Sequence, residues 1–192
     1  MSQARAVVEL LPVEQVAARA DELFTPGSQA RQWYVLHTRP RCEKKAAAAC
    51  QELSLRHYLP LRKSTPRHRK GQRHYSFDVP LFPSYLFGCF DREERYRLLC
   101  SDLLVRMIDV VDQAQLLGEL RSIFLATHSQ VDLVLYPQLR RGRLVRVTAG
   151  PLTGVVGRIA RRKEGLRLVL NVTMLGTAVA AELDMSEVEL VA

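Results

Sequence analysis

The sequence predicts an α+β protein in two parts: an α/β sandwich with helices on a mostly antiparallel sheet, then a small five-stranded β-barrel. Three observations carry this. Up to about residue 127, strand-like runs rich in aromatic and β-branched residues alternate with helical stripes. After residue 142, Gly142, Gly150, Gly154, Gly157, Gly165 and Gly176 punctuate short alternating runs, the texture of a small all-β unit. Between them, 128–141 shows no clear period and reads as a linker. The expected organisation is an N-terminal extension over 1–29, a first domain over 30–127, the linker over 128–141 and a second domain over 142–192.

Each element follows from its residues. In 13–24, Val13, Val16, Ala17, Ala20, Leu23 and Phe24 share one helical face, and Thr25-Pro26-Gly27-Ser28 ends the helix. The run 33–38 opens on Trp33-Tyr34-Val35 and is a strand. Residues 41–53 are alanine-rich, with Cys42, Ala46, Ala49, Cys50 and Leu53 recurring at helical spacing. Strands over 57–63 and 73–79 flank the basic turn 66–71, forming a hairpin. The apolar run 84–90 is a buried strand. Asp91 is placed to cap a helix reaching Leu99, with Glu93 and Glu94 in its first turn, where they suit the helix dipole. A strand covers 105–111. Asp112 and Gln115 then have the spacing of a capping box, before a helix striped by Leu116, Leu120, Ile123 and Phe124. The barrel strands are 144–147, 155–160, 166–174, 178–183 and 188–191.

Composition narrows the function classes. The 192 residues are 47% hydrophobic and 25% charged, an ordinary globular mix. No apolar run approaches the ~20 residues that span a bilayer, and Glu9 and Pro12 interrupt the N-terminal apolar stretch, so neither a membrane span nor a secretory signal is expected. Cys42, Cys50, Cys89 and Cys100 form no CxxC pair and are read as free thiols of a reducing cytoplasm. No Gly-rich phosphate loop, metal-ligand set or nucleophile elbow is present, and His57, His68 and His74 lie among basic residues rather than beside carboxylates, so no enzyme and no cofactor are expected. The net charge of +8 is uneven: 30–75 holds 12 basic against 2 acidic residues, and 140–192 holds 9 against 5, while the other two segments are net acidic. Such a localised excess points to an anionic partner, of which a phosphate backbone is the commonest.

Particular residues resemble a known family. Trp33-Tyr34-Val35, the Lys/Ala-rich helix after it, and Pro80-Leu81-Phe82-Pro83-Ser84-Tyr85-Leu86-Phe87 are similar to the N-terminal domain of NusG-type transcription elongation factors. Gly142, Val145, Val147, Gly150-Pro151-Leu152, Gly154 and Gly157, with Glu182-Leu183-Asp184 and Ser186 near the end, resemble the SH3-like KOW barrel of the same family. The resemblance covers about residues 32–192. It implies a monomeric cytoplasmic factor that binds the clamp helices of RNA polymerase through an aromatic-bearing depression and suppresses pausing. The matching positions are His37, Phe82, Pro83, Tyr85 and Val111. Pro80 and Pro83 argue that this stretch leaves the sheet ladder and turns its aromatics outward. The resemblance further implies that Arg39, Arg41, Arg67, Arg69, Lys70 and Arg73 face non-template or upstream DNA, where such side chains contact phosphate without reading sequence.

On the barrel, the resemblance assigns a partner surface for ribosomal protein S10 or Rho to Leu152, Val155, Met174, Leu175 and Thr177. Here the sequence departs from the family pattern. Leu152 stands where an aromatic is usual, and Thr177 stands where an arginine is expected, removing a charge-assisted donor. Leu104 replaces a glycine, and the helix over 92–100 lacks the His-Thr-Thr run of some specialised members. The Pro-Leu-Phe-Pro motif and Thr177 favour a specialised, RfaH-like antiterminator paralogue over the housekeeping factor. The alternative is an RNA- or ribosome-binding protein using the sheet and barrel. The barrel is expected to be stable and loosely tethered, because Val169, Val172, Thr173 and the surrounding glycines favour strands and turns over helix.

Overall fold

The computed structural model describes residues 12–28, 30–64, 77–129, 131–139, 142–162 and 165–191. In chain order the elements are α1 (Val13–Leu23), β1 (Gln32–Thr38), α2 (Glu43–Glu52), β2 (Arg56–Tyr58), β3 (Leu61–Ser64), β4 (Phe77–Pro80), β5 (Tyr85–Phe90), α3 (Arg92–Leu99), β6 (Leu104–Asp109), α4 (Gln113–His128), β7 (Val134–Pro137), β8 (Leu144–Val147), β9 (Val156–Arg162), β10 (Gly165–Val172), β11 (Thr177–Leu183) and β12 (Val188–Leu190). The fold is α+β, as the sequence predicts. The first half is a four-stranded antiparallel sheet in the order β2-β5-β1-β6, with β3 and β4 paired as a separate hairpin stem.

Strand alternation sends side chains to two faces, and each face has its own cover. Trp33, Val35, Phe87 and Cys89 pack with Val16 and Ala20 of α1 and the apolar stripe of α4. Tyr34, Leu36, Leu86 and Phe90 pack with Ala46 and Cys50 of α2 and Leu98 of α3. Phe24, just past α1, is buried at the junction of Trp33, Tyr58 and Phe124, with ring centroids 5.2 to 5.8 Å away. The N-terminal extension is thus part of the core from α1 onward. Gly88 is required by a close approach: a Cβ there would stand 2.2 Å from the Phe90 ring, which stacks on Tyr34.

Caps set the helix starts. Asp91 accepts from the Glu93 and Glu94 amides while Glu94 reaches back to the Asp91 amide, a complete capping box. Asp112 accepts from the Gln115 amide at 2.8 Å, but the Gln115 side chain leaves the cap and reaches Glu119 and Thr173 instead.

The second half is a six-stranded antiparallel, barrel-like sheet in the order β12-β8-β9-β10-β11-β7. Val145, Val147, Leu168, Leu170, Val172, Val179 and Ala181 fill its inside. The sixth strand is a difference from the sequence expectation. It comes from the segment read as a linker, where Val134–Pro137 pairs with β11. Tyr136 and Leu139 cover an apolar cluster of Val169, Ala178 and Ala180, and the Asn171 amide clamps the Leu139 backbone through bonds of 3.0 and 2.9 Å. The strand expected over 57–63 also divides, because Leu59-Pro60 interrupts it: β2 joins the large sheet and β3 the hairpin.

Among the described residues, no helix is long and apolar enough to cross a membrane, and no group of three or more His, Cys, Asp or Glu side chains is placed to hold a metal ion. Cys42, Cys50, Cys89 and Cys100 are free.

Candidate functional site

Three irregularities meet where β1 ends. The register with β6 shifts between His37 and Thr38, a bulge of the kind that re-aims side chains at functional edges. His37 Nδ1 and Thr38 Oγ1 are buried without a hydrogen-bond partner. Across the ladder, His37 pairs with Tyr85, and their rings stack with centroids 5.0 Å apart and planes 19° apart. Both rings are half-buried. Pro83 beside them is exposed. Val111 is 98% exposed, but it lies two residues past Asp109, which pairs with Tyr34, so the structure leaves it at the other end of β1 from His37 and does not bring it to this corner. Exposed Pro83 beside a stacked aromatic pair is the composition of a contact surface.

Phe82 corrects the sequence expectation. It is 1% exposed, belongs to the main core and meets Phe87 edge-on at 6.5 Å. The chain does leave the ladder between Pro80 and Tyr85, as the prolines demand, but it turns Leu81 and Phe82 inward. Of the motif's aromatics, Tyr85 alone reaches the surface, beside exposed Pro83.

The loop is held by a residue that sequence reasoning missed. Glu43, the first residue of α2, is 7% exposed and accepts the Ser84 amide at 2.7 Å. The Ser84 carbonyl in turn accepts from the Thr38 amide at 2.9 Å, and Ser84 has φ 65°. Lys44 adds a bond to the Asp78 carbonyl at 2.7 Å, so the start of α2 braces both the loop and the hairpin stem. The available signal was Glu43 itself, one of two acidic residues in the most basic segment of the chain.

Of the expected nucleic-acid contacts, Arg39 and Arg41 are exposed near this corner. Arg39 is paired with Asp102, and Arg41 turns the chain at φ 63°. Arg67, Arg69, Lys70 and Arg73 lie outside the described residues. Where the family pattern has glycine, Leu104 is buried at the start of β6, and the left-handed backbone falls two residues earlier, on Asp102 at φ 59°.

The barrel surface expected to take a partner lies against this chain's own helix. Leu152 and Val155 are 3% and 0% exposed, and Met174 and Leu175 are half-buried on the same core. The Glu119 carboxylate of α4 accepts the Thr173 amide at 2.9 Å and the Thr173 hydroxyl at 2.5 Å, while Gln115 donates to that hydroxyl at 3.0 Å. Ser122 accepts the Val156 amide at 3.4 Å, and Leu125 lies 3.9 Å from where a Gly154 side chain would begin. Thr177 pairs with Pro137 of β7, its hydroxyl donating to the Tyr136 carbonyl at 3.4 Å. The barrel is therefore docked on α4, contrary to the loose tether expected from the sequence.

Comparison with known proteins bears on the first half most directly. Residues 31–121 match the family described as transcription termination factor nusG. Among solved structures the chain is similar to one titled "Domain interaction in Thermotoga maritima NusG", with 18% identity over 84% of this chain and 98% of that chain, at a TM-score of 0.44. No curated protein matches the chain.

Proposed function

We propose, from the premise that residues 31–121 form a domain of the NusG family of transcription factors, that the His37–Tyr85 corner docks on the clamp helices of RNA polymerase and suppresses pausing. The observation that carries this is the coincidence at one place of a bulge, an aromatic stack, exposed Pro83 and two buried polar atoms without partners. Leaving a buried polar group unpaired costs about 1–3 kcal/mol. Both atoms are closed to solvent, so a partner recovers that cost only by reshaping the corner as it docks. Phe82 supports the surface from beneath, and Glu43 fixes the loop that presents Pro83 and Tyr85.

The basic segment between β3 and β4 contacts non-template or upstream DNA through Arg67, Arg69, Lys70 and Arg73, and Arg39 and Arg41 add to that contact. The barrel couples the complex to a protein such as S10 or Rho through Leu152, Val155, Met174 and Leu175. Thr177 in place of an arginine supports a specialised antitermination factor over a general one.

Retention on immobilised core polymerase tests the first claim. Tyr85→Ala is expected to lose at least ~2 kcal/mol, about thirtyfold in affinity, while remaining folded with a melting temperature lowered less than by Phe82→Ala. Undiminished retention of Tyr85→Ala and His37→Ala overturns the assignment. An elongation assay across pause and terminator templates then reads the activity. There, Arg67, Arg69 and Lys70 changed together to Glu are expected to abolish the DNA-dependent part while leaving binding to bare polymerase intact.

A further inference from the structure

The second half of the chain carries positive charge that docking on polymerase leaves unused. Over 140–192 there are 9 basic and 5 acidic residues, and much of the excess falls on the adjacent strands β8 and β9. The register pairs Leu144 with Arg158 and Arg146 with Val156. By strand alternation, Arg146 and Arg158 therefore share one face, and Arg143 and Arg161 share the other as diagonal neighbours. The two pairs have different surroundings. Arg158 donates to the Gly142 carbonyl at 2.8 Å, and Arg146 stands opposite Glu189 in the β8–β12 register. Both line the cleft against α4.

Arg143 and Arg161 instead flank an open groove of about 460 Å³ whose floor is Val145, Ile159, Val188 and Leu190. Both arginines are exposed, and among the described residues neither is within ion-pair distance of a carboxylate. Glu189 on the rim is the one acidic residue lining the groove, so the groove is net positive.

We propose that this groove binds the sugar–phosphate backbone of a single-stranded nucleic acid, with Arg143 and Arg161 contacting successive phosphates and the apolar floor receiving a sugar or base. Guanidinium groups match phosphate oxygens in a fork geometry and remain charged at every physiological pH. The apolar floor selects the single strand, because a duplex turns its phosphates outward and keeps its bases stacked inside. The groove makes the barrel a second nucleic-acid contact, separate from the basic hairpin of the first half. It stands independently of polymerase docking, since the test contains no polymerase.

The test is fluorescence anisotropy of the full chain with a 20-nucleotide oligo(U), a 20-nucleotide oligo(dT) and a 20-base-pair duplex, titrated with salt. Wild type is expected to bind the single strands with a salt-dependent affinity. Removing one phosphate contact lowers the log–log salt slope by about 0.7 for single strands, so R143Q/R161Q is expected to reduce it by about 1.4. R143K/R161K is expected to retain the slope, which separates the removal of charge from a failure to fold. Reduced slopes on both oligo(U) and oligo(dT) assign the shared phosphate chemistry, and a reduction on one alone assigns that strand as the ligand. An unchanged slope in R143Q/R161Q overturns the proposal, as does loss of all binding in a variant with Arg67, Arg69 and Lys70 changed to Gln. Binding of labelled poly-glutamate with no binding of either oligonucleotide overturns it as well, assigning the groove to an acidic protein segment.

Discussion

Phe82 and Tyr85 are three residues apart and play different parts. Tyr85 opens β5 and stacks on His37 at the surface, whereas Phe82 is buried against Phe87. Truncating a buried phenylalanine costs about 3–5 kcal/mol, so Phe82→Ala is expected to lower the urea midpoint sharply and Tyr85→Ala, at a half-buried position, to lower it much less. Equal midpoints for the two variants would refute the assignment of Phe82 to the core. The motif itself was legible in the sequence, but its direction was not: two prolines show that a strand must end, yet they do not say which side of the sheet the chain then turns to. Cys50 offers a second residue-scale check. Burial pushes its thiol up to about 12, so the folded state favours the protonated form. Its contribution is intact below the unfolded-chain value of about 8.5 and is lost as pH rises toward 12. The stability gap between wild type and Cys50→Ala is therefore expected to narrow between about pH 8 and about pH 10.5 in urea titrations, and a constant gap would contradict it.

Among the elements, those fixed by local chemistry were the readable ones. The Asp91 capping box, the alanine-rich α2 and the Trp33 strand follow from neighbours in sequence, and each formed within a residue or two of its expected bounds. β7 was not legible, because Val134–Pro137 has no period of its own and becomes a strand only by pairing with the edge of β11. Glu43 was missed for a similar reason: its role depends on Ser84, forty-one residues away. One helix position is suboptimal by the same local criteria. Gly118 lies in the middle of α4, is exposed, and a Cβ there would meet nothing within 4 Å. Gly118→Ala is expected to stabilise the protein by about 0.5–1 kcal/mol through helix propensity and reduced unfolded-state entropy. A lower melting temperature for that variant would mean that the barrel needs the open space beside α4.

At the scale of the whole molecule, the decisive feature is the docking of the barrel on α4, and its chemistry explains why sequence patterning missed it. The polar part of the contact, Gln115, Glu119, Ser122 and Thr173, looks in sequence like an ordinary solvated helix face and strand end, and its apolar part, Leu152 and Val155 in one cluster with Leu125, looks like the barrel's own core. The Glu119–Thr173 bonds lie at the rim, where water competes, so together they contribute on the order of 1 kcal/mol. That is enough to matter, since about 1 kcal/mol changes a two-state ratio about fivefold. Glu119→Ala is therefore expected to shift the population toward an undocked barrel without unfolding either half. In wild type, ¹⁵N relaxation is expected to give one rotational correlation time for 32–128 and 142–191, and relaxation dispersion is expected to report an undocked population about fivefold larger in Glu119→Ala. A partner that uses Leu152, Val155, Met174 and Leu175 must first displace α4, so its apparent Kd is the intrinsic Kd divided by the fraction of molecules already undocked. While that fraction is small, the same substitution is expected to tighten such a partner by the same fivefold factor. Independent tumbling already present in wild type, or no change in Glu119→Ala, would show that the Glu119–Thr173 bonds do not hold the barrel in place.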